Sequence, residues 1–306
     1  MTRQQITLNN EHSVGLGDNL CLLSALANIP PDIDLYTTNE HNTFDRLTLY
    51  KKIFRIPDNQ LRISLTDISG NFNNVGWPIK LFCDYYKPPY VNIKGEVLKT
   101  CDDLQNKKCI GLVCSFDEPG VNTTEWPWTR SRPKEYWARM FSFIKSMGYE
   151  VITIDNPYFD LETKIELMVK HCKAVIGYEG GMAHLSHMLK IPYFMVPWRF
   201  PTNSTELGQF HCEFVHRTNT VHMMRTDDEL FYLGPDQFNQ RIEELIRGET
   251  NNRIANGECK IKFAGPGIHG KISVEDVHGC LMLPPVGGIF GDSQSGLMLN
   301  KWYPQY

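Results

Sequence analysis

The chain has 306 residues, of which 42% are hydrophobic and 22% are charged. These values are typical of globular proteins, exclude a disordered or fibrous chain, and leave room for one large or two ordinary domains. Lys and Arg number 31 and Asp and Glu 35, which gives a net charge of −4. This mild acidity argues against attraction of the whole surface to nucleic acid, but not against a local basic stripe.

Targeting and metal signals are weak in this sequence. No run approaches the roughly 18 apolar residues of a membrane helix, and residues 1–13 lack the apolar core of a signal peptide. Nine cysteines are present without a CxxC pair, and the spacing of Cys109 and Cys114 does not fit a zinc site. We therefore expect a cytoplasmic protein with reduced thiols.

The first third of the chain alternates between strand-like and helix-like patterns. Strands are predicted at residues 5–9, 32–37 and 61–65, and helices at 19–28 and 43–54. Such alternation predicts a parallel sheet with helical crossovers. The pattern weakens between residues 70 and 108, so the first domain is assigned to residues 1–105.

The second part of the chain is clearer and is assigned to a domain at residues 106–250. Predicted strands lie at 109–115, 149–154, 174–177 and 192–196, and predicted helices at 135–147, 161–172, 180–190 and 236–247. This succession is typical of nucleotide-binding α/β domains. Residues 251–306 form a Gly- and Pro-rich tail, expected to be either a hairpin-bearing appendage or a segment that wraps the body.

The strongest candidate site follows the predicted strand at 174–177. Gly180 and Gly181 allow a ligand to approach the backbone, and the start of the next helix offers N–H groups to an anion. Glu179 is placed to accept hydrogen bonds from sugar hydroxyls, and His184 to donate to phosphate. The alternative is a tight turn followed by an ordinary helix residue. His187 lies three residues after His184, but two histidines alone make a poor metal site, so no metal is predicted.

A second glycine-containing stretch, SVGLGDNL, occupies residues 13–20. Gly15 and Gly17 are predicted to form a loop at which an acceptor approaches the backbone. Asp18 would then stand at the mouth of the sheet, where a carboxylate can take the proton of an attacking hydroxyl. The alternative is that Asp18 caps the following helix. The stretch lacks the third glycine of a dinucleotide-binding fingerprint.

The third stretch carries Arg130 and Arg132 just before a predicted helix start. Guanidinium groups bind diphosphates bidentately and offset the charge that develops on a leaving phosphate. The alternative is a solvated basic loop.

Together, the three stretches resemble the lipopolysaccharide heptosyltransferase-like glycosyltransferases. The matching motifs are GLGD at 15–18, RSRPKEYW at 130–137 and EGGMAHL at 179–185. The resemblance covers about the first 20 residues and residues 109–197. It implies an α/β fold of the GT-B type, with two Rossmann-type domains, a cleft between them and, here, the additional tail. Phages encode compact enzymes of this type, so the resemblance also allows that the chain is a phage-encoded member of the family.

The family resemblance implies inverting, metal-independent transfer from a nucleotide-diphosphate sugar, with no other cofactor. Asp18 would be the catalytic base, and Arg130 or Arg132 would replace the family's phosphate-binding Lys. The donor site would also contain the remaining candidates, namely Glu179, Gly180, Gly181 and His184. Glu179 stands where the family has Asp, and Gly180 where it has Thr, so the sugar and the nucleotide are left open.

Three functions stay open at this stage. A glycosyltransferase would act on a surface glycan, which the weak acidity favours, or on a hydroxymethylated base of phage DNA, which the basic loop favours. A nucleotide-sugar epimerase on the same fold would need no acceptor. A non-catalytic nucleotide-sugar-binding protein would keep the cleft without the chemistry.

Overall fold

The computed structural model describes residues 4–8, 16–17, 20, 33–37, 62–65, 103–114, 132–196, 212–213, 216, 218–264, 271–276 and 286–287. The predicted helix at 43–54 lies outside these residues, as do Gly15, Asp18 and Arg130. The chain divides into two compact units, residues 1–98 with 258–305 and residues 99–257. No helix among the described residues is long and apolar enough to cross a membrane.

The N-terminal part of the first unit contains a parallel sheet. β1 (Gln4–Leu8), β2 (Ile33–Thr37) and β3 (Arg62–Leu65) pair in that order, so the three predicted strands are confirmed within one residue at each end. Leu16, Gly17 and Leu20 are helical, and the side chain of Leu20 is fully buried. The predicted loop is therefore wrong at Gly17. Burial of a leucine stabilises by about 1.5–3 kcal/mol and offsets the roughly 1 kcal/mol that glycine costs in a helix.

The tail contributes a small antiparallel sheet to the first unit. β9 (Cys259–Ala264) pairs with β10 (Lys271–Asp276), and β10 pairs with the short β11 (Val286–Gly287). The antiparallel pairing of β9 with β10 confirms a hairpin within residues 251–306, whereas the choice between an appendage and a segment that wraps the body stays a prediction.

The second unit is built on a five-stranded sheet in which every pairing is parallel. Its order is β5-β4-β6-β7-β8. The strands are β4 (Cys109–Val113), β5 (Glu150–Thr153), β6 (Cys172–Tyr178), β7 (Tyr193–Val196) and β8 (Val221–Met223). The strand predicted at residues 109–115 is thus observed over Cys109–Val113, at an interior position of the sheet, as expected for an apolar strand. β8 was not predicted, because three residues carry no periodicity.

Four helices connect or flank these strands. They are α1 (Lys134–Ser146), α2 (Leu161–His171), α3 (Gly181–Met188) and α4 (Pro235–Ile246). α1 follows Pro133, and after it Gly148 takes a positive φ of 85°, where glycine carries no steric penalty. α2 starts at Asp160, whose side chain accepts a hydrogen bond from the Thr163 amide at 2.7 Å. A short 3₁₀ helix, Glu229–Tyr232, precedes α4.

The core of this unit is an aromatic and aliphatic cluster between the sheet, α1 and α4. Phe238 of α4 stacks on Phe194 of β7, with ring centroids 5.5 Å apart, and meets Phe143 of α1 edge-on at 5.4 Å. All three side chains are buried. Such pairs contribute about 0.5–1.5 kcal/mol beyond the burial of their area.

β6 approaches its neighbours too closely for a side chain at Gly177. A Cβ atom there would stand 2.4 Å from the Tyr193 hydroxyl and 2.7 Å from the Val113 Cβ. The tight packing lets the Tyr193 hydroxyl donate to the Tyr178 carbonyl oxygen at 2.8 Å. This hydrogen bond from Tyr193 of β7 fixes the carboxyl end of β6.

α3 is buried on all sides. Every side chain from Met182 to Met188 is buried, including those of two histidines. Buried polar side chains are usually hydrogen-bonded. The Ser186 hydroxyl is an exception, since it is buried without a hydrogen-bond partner among the described residues.

Candidate functional site

The carboxyl edge of the second sheet is where open α/β folds bind ligands, at the point where the strand order reverses. Here the reversal lies between β4 and β6. The strand β5 lies on one side of β4, whereas β6, β7 and β8 lie on the other side. β6 ends at Tyr178, and Glu179 and Gly180 connect it directly to α3. The predicted motif thus stands at the reversal point.

The start of α3 presents backbone amides at this edge. Gly180 is the N-cap residue and its carbonyl oxygen accepts from the Ala183 amide at 3.0 Å and the His184 amide at 3.4 Å. The amides of Gly181 and Met182 precede these bonds, so neither has an intrahelical acceptor. Such amides, together with the positive end of the helix dipole, favour an anion.

Glu179 is buried beside this helix start, with 6% of its surface exposed. Its Oε1 lies 2.9 Å from Nε2 of His216, which is fully buried. A carboxylate can be buried when it is hydrogen-bonded, and His216 supplies that bond. The second carboxylate oxygen adds acceptor capacity at the end of β6.

A chain of hydrogen bonds continues from Glu179 into the protein. Nδ1 of His216 lies 3.2 Å from Nε2 of His187, and Nδ1 of His187 lies 3.0 Å from the Thr220 hydroxyl. The Thr220 hydroxyl lies 2.9 Å from that of Thr218. Both nitrogens of His216 and of His187 therefore face a polar partner, which fixes the two rings.

His184, predicted to donate to phosphate, is 3% exposed. Its ring packs on that of His216, with centroids 4.1 Å apart and planes inclined by 34°. The structure thus places His184 beside Glu179 and His216, beneath the helix start.

Burial keeps the two helix histidines neutral. It lowers the pKa of both His184 and His187 well below 6.5, and the neighbouring His216 lowers each further. The Glu179 carboxylate acts in the opposite direction on the pKa of His184 without reversing the shift. Neutral imidazoles are the form that can accept a hydrogen bond or ligate a metal.

Among the described residues that follow β4 and β5, Cys114 is not activated as a nucleophile. Oδ2 of Asp155 accepts from the Cys114 amide at 2.8 Å, just after β4. Burial, with the nearby Asp155 carboxyl, raises the pKa of the Cys114 thiol to about 12, and burial also raises the pKa of Asp155. Cys114 is therefore a protonated thiol at neutral pH, whereas thiol catalysis needs a thiolate.

Arg132 is 1% exposed, so the alternative of a solvated basic loop is wrong for this residue. Its Nε and Nη2 donate to the two oxygens of Asp227 at 2.9 and 2.8 Å. A diphosphate that binds this guanidinium would compete with Asp227. The placement as a donor-binding residue stays a prediction, and the second arginine of the stretch, Arg130, lies outside the described residues.

His216 was missed in the sequence analysis, because its position depends on contacts that are distant in sequence. The segment that bears it is held through Glu213, whose buried carboxylate accepts from Arg225 at 2.6 Å and from Arg253 at 3.0 Å. The Asn252 side chain donates to the His216 carbonyl oxygen at 2.9 Å. No local pattern around residue 216 reveals these partners.

A pocket of about 310 Å³ lies elsewhere, at the amino end of β4. Its lining includes Lys107, Cys109 and Lys170. Since open α/β sheets bind their ligands at the carboxyl ends of the strands, we assign the candidate site to the edge that carries Glu179.

Comparisons with known proteins give one structural likeness. No protein-family model matches the chain, and no curated protein matches it. A solved structure, E. coli heptosyltransferase WaaC with ADP, aligns with a TM-score of 0.38 and 14% identity, over 81% of this chain and 99% of that chain. At these values the two backbones agree only in part, so residue roles are taken from the present chain alone.

Two neighbouring carboxylates provide a matched test of the Arg132 pair. Asp227→Asn should lower the free energy of unfolding by about 3 kcal/mol, because it leaves a buried guanidinium without its counter-charge. Asp228 pairs with the exposed Arg139, and Asp228→Asn should cost less than about 1 kcal/mol. Urea unfolding measures the free energy of unfolding of both variants. Equal losses in the two variants would contradict the larger contribution to stability expected of the buried pair.

The buried histidines predict a pH dependence of stability. Below pH 6.5 the unfolded chain protonates His184 and His187 while the folded protein keeps them neutral. The free energy of unfolding should therefore fall as the pH drops below about 6.5, by up to about 1.4 kcal/mol per pH unit for each histidine. Urea unfolding in EDTA-containing buffer over this range checks the slope. His187→Gln should make the slope of unfolding free energy against pH shallower. The control His171→Gln, which replaces an exposed histidine, should leave this slope unchanged. An unchanged slope in His187→Gln would refute the assignment.

Proposed function

We propose that the chain is a glycosyltransferase whose donor is a nucleotide-diphosphate sugar. The observation that carries the proposal is the meeting, at the reversal point of a parallel sheet, of the amides that open α3 with the carboxylate of Glu179. Amides at a helix start suit a diphosphate, and a fixed carboxylate suits the hydroxyls of a sugar. Only Gly180 separates Glu179 from the first of these amides, and the diphosphate and the sugar are likewise adjacent groups of the donor.

In the proposed reaction the acceptor oxygen forms a bond to the anomeric carbon while the bond from that carbon to the diphosphate oxygen breaks. The acceptor proton passes to a base, for which we propose Asp18 on the sequence motif alone. The electron pair leaves with the nucleoside diphosphate, and the amides of Gly181 and Met182 stabilise the added charge. His216 holds Glu179 through their 2.9 Å hydrogen bond and is a positioning residue in this scheme.

The competing functions differ in what they need besides the donor. A nucleotide-sugar epimerase converts its substrate without an acceptor, and a binding protein leaves it unchanged. The acceptor of a transferase is proposed to be either a glycan or a hydroxymethylated base in duplex DNA. Binding to DNA would weaken steeply with added salt, because phosphate contacts release counterions.

Gly181 offers a matched pair of variants for the donor site. Proline at the first helical position keeps the helix but removes one N–H donor, whereas alanine keeps the donor. Gly181→Pro should weaken nucleoside diphosphate binding about 10- to 100-fold, as expected for the loss of a hydrogen bond to a charged group. Gly181→Ala should bind within a few-fold of the wild type. Screening nucleotide sugars by thermal shift first identifies the donor, and calorimetry then measures the affinities. Equal affinities for the two variants would place the diphosphate elsewhere.

Asp18→Asn tests the chemistry separately from binding. The wild type is incubated with the donor so identified, in parallel with acceptor glycans, with hydroxymethylated duplex DNA and with no acceptor. We expect a sugar–acceptor product from the wild type, loss of at least about 100-fold in rate in Asp18→Asn, and an unchanged donor affinity. A new nucleotide sugar formed without acceptor would identify an epimerase, and donor binding without any product would identify a binding protein.

A further inference from the structure

Three side chains with metal-ligating atoms meet beneath the start of α3. Glu179 and His184 come from the β6–α3 connection and from α3 itself, and His216 comes from a segment more than 30 residues later in the chain. One carboxylate oxygen and one nitrogen from each imidazole lie within 4.8 Å of one another. All three residues are buried, with 6%, 3% and 0% of their surfaces exposed. We propose that these three residues bind a divalent transition-metal ion, with Zn²⁺ as the best fit.

The donor set decides the class of ion. Two imidazole nitrogens and one carboxylate oxygen suit Zn²⁺, and the same set, two His and one Glu, occurs in known zinc enzymes. Mg²⁺ and Ca²⁺ require shells of oxygen ligands, which two imidazoles do not provide. Three protein ligands leave one of the four tetrahedral positions to a non-protein oxygen, such as water.

The distances require only small adjustments on binding. Ligand atoms on a tetrahedral Zn²⁺ with bonds of about 2.0–2.1 Å stand about 3.3 Å apart. Oε1 of Glu179 and Nε2 of His216 are already 2.9 Å apart. The widest separation among the three ligand atoms would shorten by about 1.5 Å, a movement within reach of side-chain torsions.

The residues around the ligands supply the outer shell that a histidine ligand needs. A metal-binding histidine usually donates its second N–H to a fixed acceptor, which sets its orientation. His216 has such a partner in Nε2 of His187 at 3.2 Å, and His187 in turn lies 3.0 Å from the Thr220 hydroxyl.

This chain of hydrogen bonds can run in either direction, since a hydroxyl can donate or accept. Without metal, Nε2 of His216 donates to Glu179. With metal on Nε2, the proton sits on Nδ1 and is donated to His187, whose own Nδ1 proton goes to Thr220. This shift only moves the imidazole protons from one ring nitrogen to the other. The ring nitrogens of His216 and His187 therefore still have a partner when the ion is bound.

The inference departs from the expectation that the site holds no metal. That expectation considered His184 with His187, whereas the structure sets His184 beside His216 and uses His187 as the outer partner. The metal proposal does not rest on the proposed transferase function, since it concerns binding of the ion alone.

The experiment uses the full chain, freed of metal by EDTA, kept reduced and titrated with Zn²⁺. We expect one tight Zn²⁺ site per chain by calorimetry and by elemental analysis after gel filtration. Glu179→Gln, which conserves volume, and His216→Ala should each weaken binding at least about 100-fold. His187→Gln, which alters only the outer partner, should weaken it about 10- to 100-fold. The control His171→Ala removes an exposed histidine and should leave affinity unchanged.

X-ray absorption on the Zn²⁺-loaded wild type tests the ligands without any variant. Two imidazoles and only nitrogen and oxygen neighbours are expected. Sulfur ligation, fewer than two imidazoles, absence of tight binding, or equal affinity of wild type and Glu179→Gln would each overturn the proposal.

Discussion

The hydrogen bond between Glu179 and His216 is the contact on which the candidate site depends. A carboxylate that is only 6% exposed is unfavourable unless polar contacts compensate for lost water, and the hydrogen bond with His216 contributes to that compensation. His216 can play this part only because its other nitrogen is engaged by His187 and its backbone by Asn252. The position of one carboxylate at the edge of β6 thus rests on residues from several parts of the second unit.

Two buried charged side chains in this unit, Glu213 and Arg132, are matched by opposite charges. Glu213 is fully buried between Arg225 and Arg253, and Arg132 is buried against Asp227. Removing one member of such a pair leaves a buried charge without its counter-charge. This lowers the free energy of unfolding more than replacing both members by apolar residues does. The pairs Glu213–Arg253 and Arg132–Asp227 join residues that are 40 and 95 positions apart in sequence.

The fold of the second unit could be predicted from local patterns to a large extent. The start of the apolar run CIGLVCS forms the interior strand β4, and a strand followed by two glycines and a helix placed Glu179 at the carboxyl edge of β6. What could not be predicted depends on long-range partners. Arg132 reads as part of a basic loop until Asp227, 95 residues away, is brought against it. His216 belongs to no periodic segment, and β8 is too short to show a period.

The histidines of α3 are a second case in which local sequence patterns do not reveal long-range contacts. The sequence analysis did not foresee that His184 and His187 are both buried. Their polar partners come from a distant part of the chain, since His216 packs on His184 and His187 forms hydrogen bonds with His216 and Thr220. Periodicity alone cannot reveal such a polar interior, because it treats every polar residue as solvent-facing.

The enclosure of α3 has a consequence for selectivity. With every side chain from Met182 to Met188 covered, a tilt or slide of the helix would disturb packed contacts on all its sides. In the proposed function, amides that packing holds in place would lose little conformational entropy when an anion binds. In the proposed function, this helix start would bind the diphosphate through backbone amides, which recognise the phosphate charge and not the base. Discrimination among bases would then come from other parts of the protein.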